Sequence, residues 1–451
     1  MPSDSTPALD PTPALDPTPD LDPTPALDAP EADASDRGPT AQTAQGLTTT
    51  ARRAATTPDL ADRSDIVAQS DGSPSPVPAP DAAPIPPGPG RGYLVRPVAV
   101  YLLCRAVTLA SLAVADIFTH HGLGGDLDIW DARWFIRAAE KGWPTHLPEV
   151  HGHVVASTLA FLPAFPLAIR WLTDLTGLSP VAVGVTISGV SGLTAIVAVG
   201  MLVSHFAGAV KAERAALLMA VFPGSFVFSL VYSEGIVVTC IAFGLLALLR
   251  RQWWLAGLLG LIASATTPIA LAFVVSCAWC SGSAIRQQRD WRSLLAPVLA
   301  PLGFVAYLAW LWGHTGNLSA WRLAERGGWK SYPSLSYPIH IVTTFVFDPV
   351  APTRTGQLLF FGTVAAIIGA VFAIRERQPM PVLLYGLVAA AIAAGSAPIG
   401  LRPRFLMLAF PLIVAVGTRL RGRAYGWTVA VSVCLLVVMT LSELASTAVF
   451  P

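Results

Sequence analysis

Residues 180–206, PVAVGVTISGVSGLTAIVAVGMLVSHF, run for 27 positions without an Asp, Glu, Lys or Arg. About 20 apolar residues carry a helix through bilayer hydrocarbon, so this stretch reads as a transmembrane helix. Comparable runs recur on both sides of it, near 95–118, 213–231, 235–249, 252–265, 267–284, 294–313, 356–374, 380–397, 404–418 and 424–446. With 53% hydrophobic and 13% charged residues and a mean hydropathy of +0.58, the 451-residue chain is too apolar for a soluble domain. The expectation is an all-α polytopic membrane protein of about eleven transmembrane helices, since a helix satisfies its own backbone where lipid offers no partner.

Residues 1–92 differ in kind. They hold Pro-, Asp-, Thr- and Ala-rich sequence, beginning with hexads at Ser5–Asp10, Pro11–Asp16, Pro17–Asp22 and Pro23–Asp28, each ending Leu-Asp. Two prolines in each of the last three hexads suit extended chain and no packed repeat, so this part is expected to be a disordered, solvated tail. It carries 14 acidic and 5 basic side chains, net −9; from the whole-chain +1 this leaves +10 on residues 93–451, the multi-span membrane domain. The first apolar run begins only near Val95 and reads as a retained signal anchor. Cys104, Cys240, Cys277, Cys280 and Cys434 all fall in apolar segments, which argues against an extracellular disulfide framework.

Basic residues orient the spans. If these alternate, Arg91, Arg96, Lys211, Arg214, Arg250, Arg251, Arg286, Arg289, Arg292, Arg375, Arg377, Arg419, Arg421 and Arg423 share one side, the cytoplasmic one by the positive-inside rule. The tail is then cytoplasmic. Opposite lie the loop 119–179, the turn Tyr232-Ser233-Glu234, the break Thr266-Thr267-Pro268, the loop 314–355, and Arg402 with Arg404. Residues 159–172, apolar but broken by Pro163 and Pro166, read as a short interfacial helix.

The chemistry-bearing residues gather on that second side. Asp128 and Asp131, spaced i,i+3, share a face if helical, with Trp130 and Trp134 on a neighbouring one. Carboxylates take a proton from a hydroxyl or hold a divalent cation, and indoles stack on sugars or anchor at headgroup depth; solvation of the loop and helix capping are the plainer roles. Glu234, between two apolar helices, is costly unless it caps, pairs or faces an aqueous cavity. Arg402 and Arg404 suit a lipid-borne phosphate and ordinary headgroups alike. Five of the eight histidines, His120, His121, His146, His151 and His153, lie in the first loop, but their spacing matches no compact zinc pattern. No Walker-type loop, Gly-x-Ser-x-Gly elbow or basic–aromatic stripe is present, so neither a nucleotide cofactor nor a nucleic-acid partner is expected.

Several segments, in order, resemble the PIG-V-like mannosyltransferases, membrane glycosyltransferases of the C superfamily that use polyprenyl-phosphate sugars. They are Trp130-Asp131-Ala132-Arg133-Trp134-Phe135 leading to Ala139-Glu140-Lys141-Gly142-Trp143; Ala160 to Leu167; Phe222-Pro223 to Tyr232-Ser233-Glu234; Thr315-Gly316-Asn317-Leu318-Ser319-Ala320-Trp321 with Gly328-Trp329; and Arg404 with Ala409-Phe410-Pro411-Leu412. The resemblance covers residues 95–420. It implies a C-superfamily architecture, with transfer of a hexose, mannose being the expected one, from a polyprenyl phosphate to a hydroxyl of a lipid, glycan or protein outside the cytoplasm. On it Asp131 is the general base, Asp128 and Glu234 orient or polarise, Arg402 and Arg404 meet the phosphate, and Trp130, Trp134, Tyr232 and Asn317 line the substrates. The chain departs from the family at Ala265-Thr266-Thr267-Pro268-Ile269-Ala270, where a basic residue is typical. A flippase of lipid-linked saccharides and a non-catalytic scaffold are the competing readings.

Overall fold

Ser179 and Pro180 open the longest helix: the serine Oγ accepts from the backbone N–H of Ala182, and the proline takes the first position, where its missing N–H costs nothing. Helices make up most of the residues that the computed structural model describes, which are 91–119, 130–347 and 354–445. The chain divides into two units, Met1–Asp81 and Ala82–Pro451. The first, with the expected acidic tail, lies outside the described residues, as do His120, His121 and Asp128.

In the second unit the helices are α1 (Val95–Thr119), α2 (Asp131–Lys141), α3 (Ala164–Thr176), α4 (Pro180–Ala207), α5 (Ala209–Ala220), α6 (Glu234–Leu249), α7 (Trp253–Ser264), α8 (Ala272–Gln288), α9 (Leu295–Leu299), α10 (Leu302–Thr315), α11 (Ala320–Gly328), α12 (Tyr337–Phe347), α13 (Arg354–Arg375), α14 (Met380–Ala394), α15 (Pro403–Leu408), α16 (Phe410–Arg419) and α17 (Gly422–Ala445). The described residues also form two antiparallel ribbons of two residues per strand, Glu149–Val150 with His153–Val154 and Tyr332–Pro333 with Ser396–Ala397.

Among the described residues five helical stretches are long and apolar enough to cross a membrane, and up to seven if each of two bent pairs is one span. The bends are 68° between α5 and the 3-10 turn Pro223–Ser229, and 48° between Trp291–Leu299 and α10. The other runs expected as spans form only shorter apolar helices, among them α6, α7, α14 and α16, so a count of eleven crossings is not shown. Within the expected loop 314–355 the chain forms α11 and a short apolar helix, α12. Leu102, Leu103 and Val107 on α1 and Trp427, Val431, Val438 and Leu441 on α17 are exposed. Apolar surface of that extent suits hydrocarbon better than water.

At the centre α6 is buried along most of its length, with Val237, Val238, Ile241, Ala242 and Leu245 inaccessible. Its approach to α4 depends on small residues: Gly235 lies against the Ser191–Gly192 backbone, and Gly192 receives the Phe228 ring where a Cβ would clash.

Candidate active site

Two proline-led turns meet through one glycine. Phe222-Pro223 breaks α5 into the 3-10 turn, and Pro403 starts α15; Gly224 touches the Pro403 carbonyl so closely that a Cβ has no room. This contact sets the turn that ends in Tyr232-Ser233-Glu234 beside the backbone that carries Arg404. Ser188 of α4 fixes the turn further, its hydroxyl donating to the Tyr232 carbonyl at 2.7 Å and accepting from the Tyr232 N–H at 3.1 Å.

Asp131 reaches the same place from α2. Phe135 holds that helix down, packing edge-on against Phe161 at 4.9 Å and Phe165 at 5.0 Å between ring centroids. The segment beneath it is tied by its own carbonyls: Leu159 accepts from the Tyr307 hydroxyl at 2.9 Å, Ala160 from Trp321 Nε1 at 3.3 Å, and Phe161 from Trp143 Nε1 at 2.9 Å. Three consecutive carbonyls with side-chain donors make a rigid floor for the loop that holds Asp131.

On this frame Arg404 Nη1 stands 2.6 Å from Asp131 Oδ2, with the side chains 10% and 23% exposed. The guanidinium lies 5.3 Å from the Tyr232 ring centroid and 4.4 Å from that of Phe405. Glu234, buried at the first position of α6, is within electrostatic range of both Arg404 and Asp131, yet its Oε2 and the Arg404 Nε have no hydrogen-bond partner. One cation thus serves two carboxylates, and buried polar atoms remain unsatisfied. That combination is expensive in a structural ion pair and normal in a site awaiting a polar ligand. Arg402, the residue before α15, is lowered to about 10 by burial and then by the neighbouring Arg404 charge.

Of the residues singled out in the sequence, Asp131, Glu234, Tyr232 and Arg404 come together, with Arg402 near enough to feel Asp131 and Arg404. Trp134 sits one turn after Asp131, stacked on Phe161 and edge-on to Trp329. Trp130 does not share a helical face with it, because α2 starts only at Asp131 and Trp130 has φ 55°. Asn317 is a turn residue: its Oδ1 accepts from the Ser319 N–H at 2.8 Å and its own N–H meets Thr315 Oγ1. Among the described residues no three His, Cys, Asp or Glu side chains are grouped to hold a metal ion.

Two residues that sequence reasoning passed over belong to the arrangement. Arg105, buried within α1, donates to the Ser225 carbonyl, next to Gly224, and lies over the Tyr101 ring. An arginine inside an apolar run was the available signal. Glu325 of α11 is within electrostatic range of Asp131 and is pushed up to about 7 by burial and then by that charge. Flanked in sequence by Arg322 and Arg326, it looks like an ordinary solvated acid.

No family model and no curated protein matches the chain. Two solved structures of ArnT from Cupriavidus metallidurans are similar to it. The apo form is 16% identical with a TM-score of 0.47, covering 75% of this chain and 62% of that one. The form bound to undecaprenyl phosphate is 17% identical with the same score and coverage. The chain therefore spans less than two thirds of the length of these structures.

Proposed function

We propose that the chain is a membrane glycosyltransferase that moves a hexose, mannose by the motif resemblance, from a polyprenyl phosphate to an acceptor hydroxyl on the extracytoplasmic side. The observation that carries this reading is the half-buried Asp131–Arg404 pair with the incompletely satisfied Glu234 beside it. The architecture proposed is that of the C superfamily, with about eleven crossings and a cytoplasmic amino-terminal side, on the strength of the apolar runs and the distribution of basic residues.

In the reaction Asp131 accepts the proton of the acceptor hydroxyl as its oxygen bonds to the anomeric carbon; the bond from that carbon to the phosphate oxygen breaks, and the electron pair leaves with the phosphate. Arg404 and Arg402 supply the positive charge that this departing group needs, in place of the basic residue that the family has near Thr267. Glu234, and Asp128 beyond the described residues, orient the acceptor or stabilise charge at the anomeric centre. Tyr232, Trp130, Trp134 and Asn317 are assigned to the substrate walls. A lipid-linked donor needs no soluble nucleotide sugar, because its prenyl chain stays in hydrocarbon while the sugar phosphate reaches the polar site.

The test is incubation of purified protein with polyprenyl-phosphate mannose and hydroxyl acceptors, comparing wild type with Asp131→Asn and Glu234→Gln. Loss of a general base costs about 10²- to 10⁴-fold. Undiminished transfer by Asp131→Asn removes the base assignment, and movement of the lipid-linked sugar across vesicles without transfer replaces the enzyme by a flippase.

A further inference from the structure

At the other end of α16 from Arg404, the ends of α4, α5, α13, α14 and α16 enclose a cavity of about 330 Å³. Its walls include Phe206 from the close of α4, Lys211 from the first turn of α5, and Glu376, Arg377 and Gln378 from the turn that follows α13. Two of the stretches long and apolar enough to cross a membrane, Pro180–Ala207 and Thr355–Arg375, stop at its rim. A cavity at the ends of such helices, with basic residues around it, lies where hydrocarbon gives way to lipid headgroups.

The polar groups of this cavity are used unequally. Glu376 is fully engaged, receiving Lys211 at 2.7 Å and Arg419 at 3.2 Å. Lys211 spends one of its three ammonium protons there, and the Arg377 side chain is exposed, so both have donors to give. Gln378 is different: it is only 6% exposed, its Nε2 donates to the Pro411 carbonyl at 3.0 Å, and its Oε1 has no hydrogen-bond partner. The orientation of the amide follows from chemistry, because a carbonyl can only accept and the nitrogen must therefore face Pro411. What the amide has left for the cavity is an acceptor, and a buried acceptor calls for a donor.

Two cations and one unused acceptor complement a phosphate that carries a hydrogen-bond donor a few bonds away. The Glu376 carboxylate on the same wall favours a donor that is itself positive, and a primary ammonium meets both demands. The surface next to the cavity fits the rest of such a molecule. Ile367, Val371 and Ile374 are exposed at i, i+4 and i+7 on α13, an apolar stripe that ends two residues before Glu376.

We propose that this cavity binds the headgroup of phosphatidylethanolamine, the phosphate meeting Lys211 and Arg377, the ammonium donating to Gln378 Oε1, and an acyl chain lying along the exposed stripe of α13. Basic pockets between the ends of transmembrane helices are a recurrent form of lipid recognition. The site is separate from the Asp131–Arg404 pair and holds whether or not the chain transfers a sugar.

The test is native mass spectrometry of the full chain titrated in detergent with phosphatidylethanolamine, its N-methyl and N,N-dimethyl derivatives, and phosphatidylcholine. The first three keep at least one N–H and should fill one saturable site with similar affinity; the choline lipid, which has none, should bind about ten-fold more weakly. Gln378→Leu should bring all four to the choline level, and Arg377→Asn should weaken all four together. Equal binding of the ethanolamine and choline lipids by wild type overturns the proposal, as does a preference that survives Gln378→Leu. Phosphatidylglycerol bound as tightly as phosphatidylethanolamine refutes the ammonium, and chainless glycerophosphoethanolamine bound as tightly as the lipid refutes the membrane source. Should Gln378→Leu fail to fold, the methylation series on wild type decides by itself.

Discussion

The two ends of α15 and α16 carry ion clusters of opposite character. At the far end Glu376 receives Lys211 at 2.7 Å and Arg419 at 3.2 Å, one acid shared by two bases, each contact a hydrogen bond as well as an ion pair. At the near end Arg404 faces Asp131 and Glu234, with Arg402 adding like charge and two buried atoms left without partners. The first cluster is complete as it stands. The second is frustrated, and frustration maintained by Gly224, Ser188 and the carbonyl floor under α2 marks a site built for a ligand rather than for stability.

Breaking the frustrated cluster should therefore cost activity far more than breaking the complete one. Arg404→Met leaves Asp131 without its ion-pair partner, with Arg402 as the remaining nearby positive charge, and takes away a proposed phosphate contact. Transfer should fall by at least about 10³-fold, read as a loss of kcat/KM for the polyprenyl-phosphate donor. Retention of more than a tenth of wild-type rate would separate the pair from the chemistry. The next largest effect belongs to Gly224→Val, which touches no charge: a side chain there must push Pro403 away, so Arg404 moves with it. We expect about a 10²-fold loss of transfer, with the protein still inserted and helical by circular dichroism.

Arg105 sharpens the comparison because it is a cation that holds the turn beside Gly224. Its guanidinium secures the Ser225 carbonyl, one residue from Gly224. Arg105→Met removes a charge-assisted hydrogen bond and leaves a buried carbonyl open, a cost of about 2–3 kcal/mol in thermal unfolding in detergent, whereas Arg105→Lys should recover part of it. Equal melting of wild type and Arg105→Met would mean that the turn holds itself.

Much of this arrangement is legible in the chain. A run such as 180–206 declares a transmembrane helix because hydrophobicity is a local property, and Asp131, Glu234 and Arg404 stand out because acids and guanidiniums beside apolar runs are costly. Their convergence is not local: it depends on Gly224 meeting Pro403 across 179 residues, which no periodicity reports. The same holds for Glu325, whose sequence neighbours are charged and whose helix is docked by Trp321 on the Ala160 carbonyl and by Trp329 on Trp134. Trp130 shows the converse error. Spacing placed it on a helical face with Trp134, but the helix begins one residue later, and a boundary shift of that size reassigns a side chain entirely.

The smallest effect should come from the complete cluster. Hydrogen bonds and charge from Lys211, then Arg419, hold Glu376 below its ordinary value of 4.5, so it is ionised in the folded chain at a pH where the unfolded chain begins to bind a proton. A depressed acid contributes stability above its unfolded value and loses it as pH falls through the folded one. Lys211 is 28% and Arg419 50% exposed, so solvent screens both contacts. Glu376→Gln should then lower thermal stability by about 1 kcal/mol or less at neutral pH, and the gap to wild type should close as pH drops below 4.5, with sugar transfer unaffected throughout. A loss of transfer at constant stability would show that this end communicates with the site through α16, and that satisfaction of an ion cluster is not by itself a sign of a purely structural role.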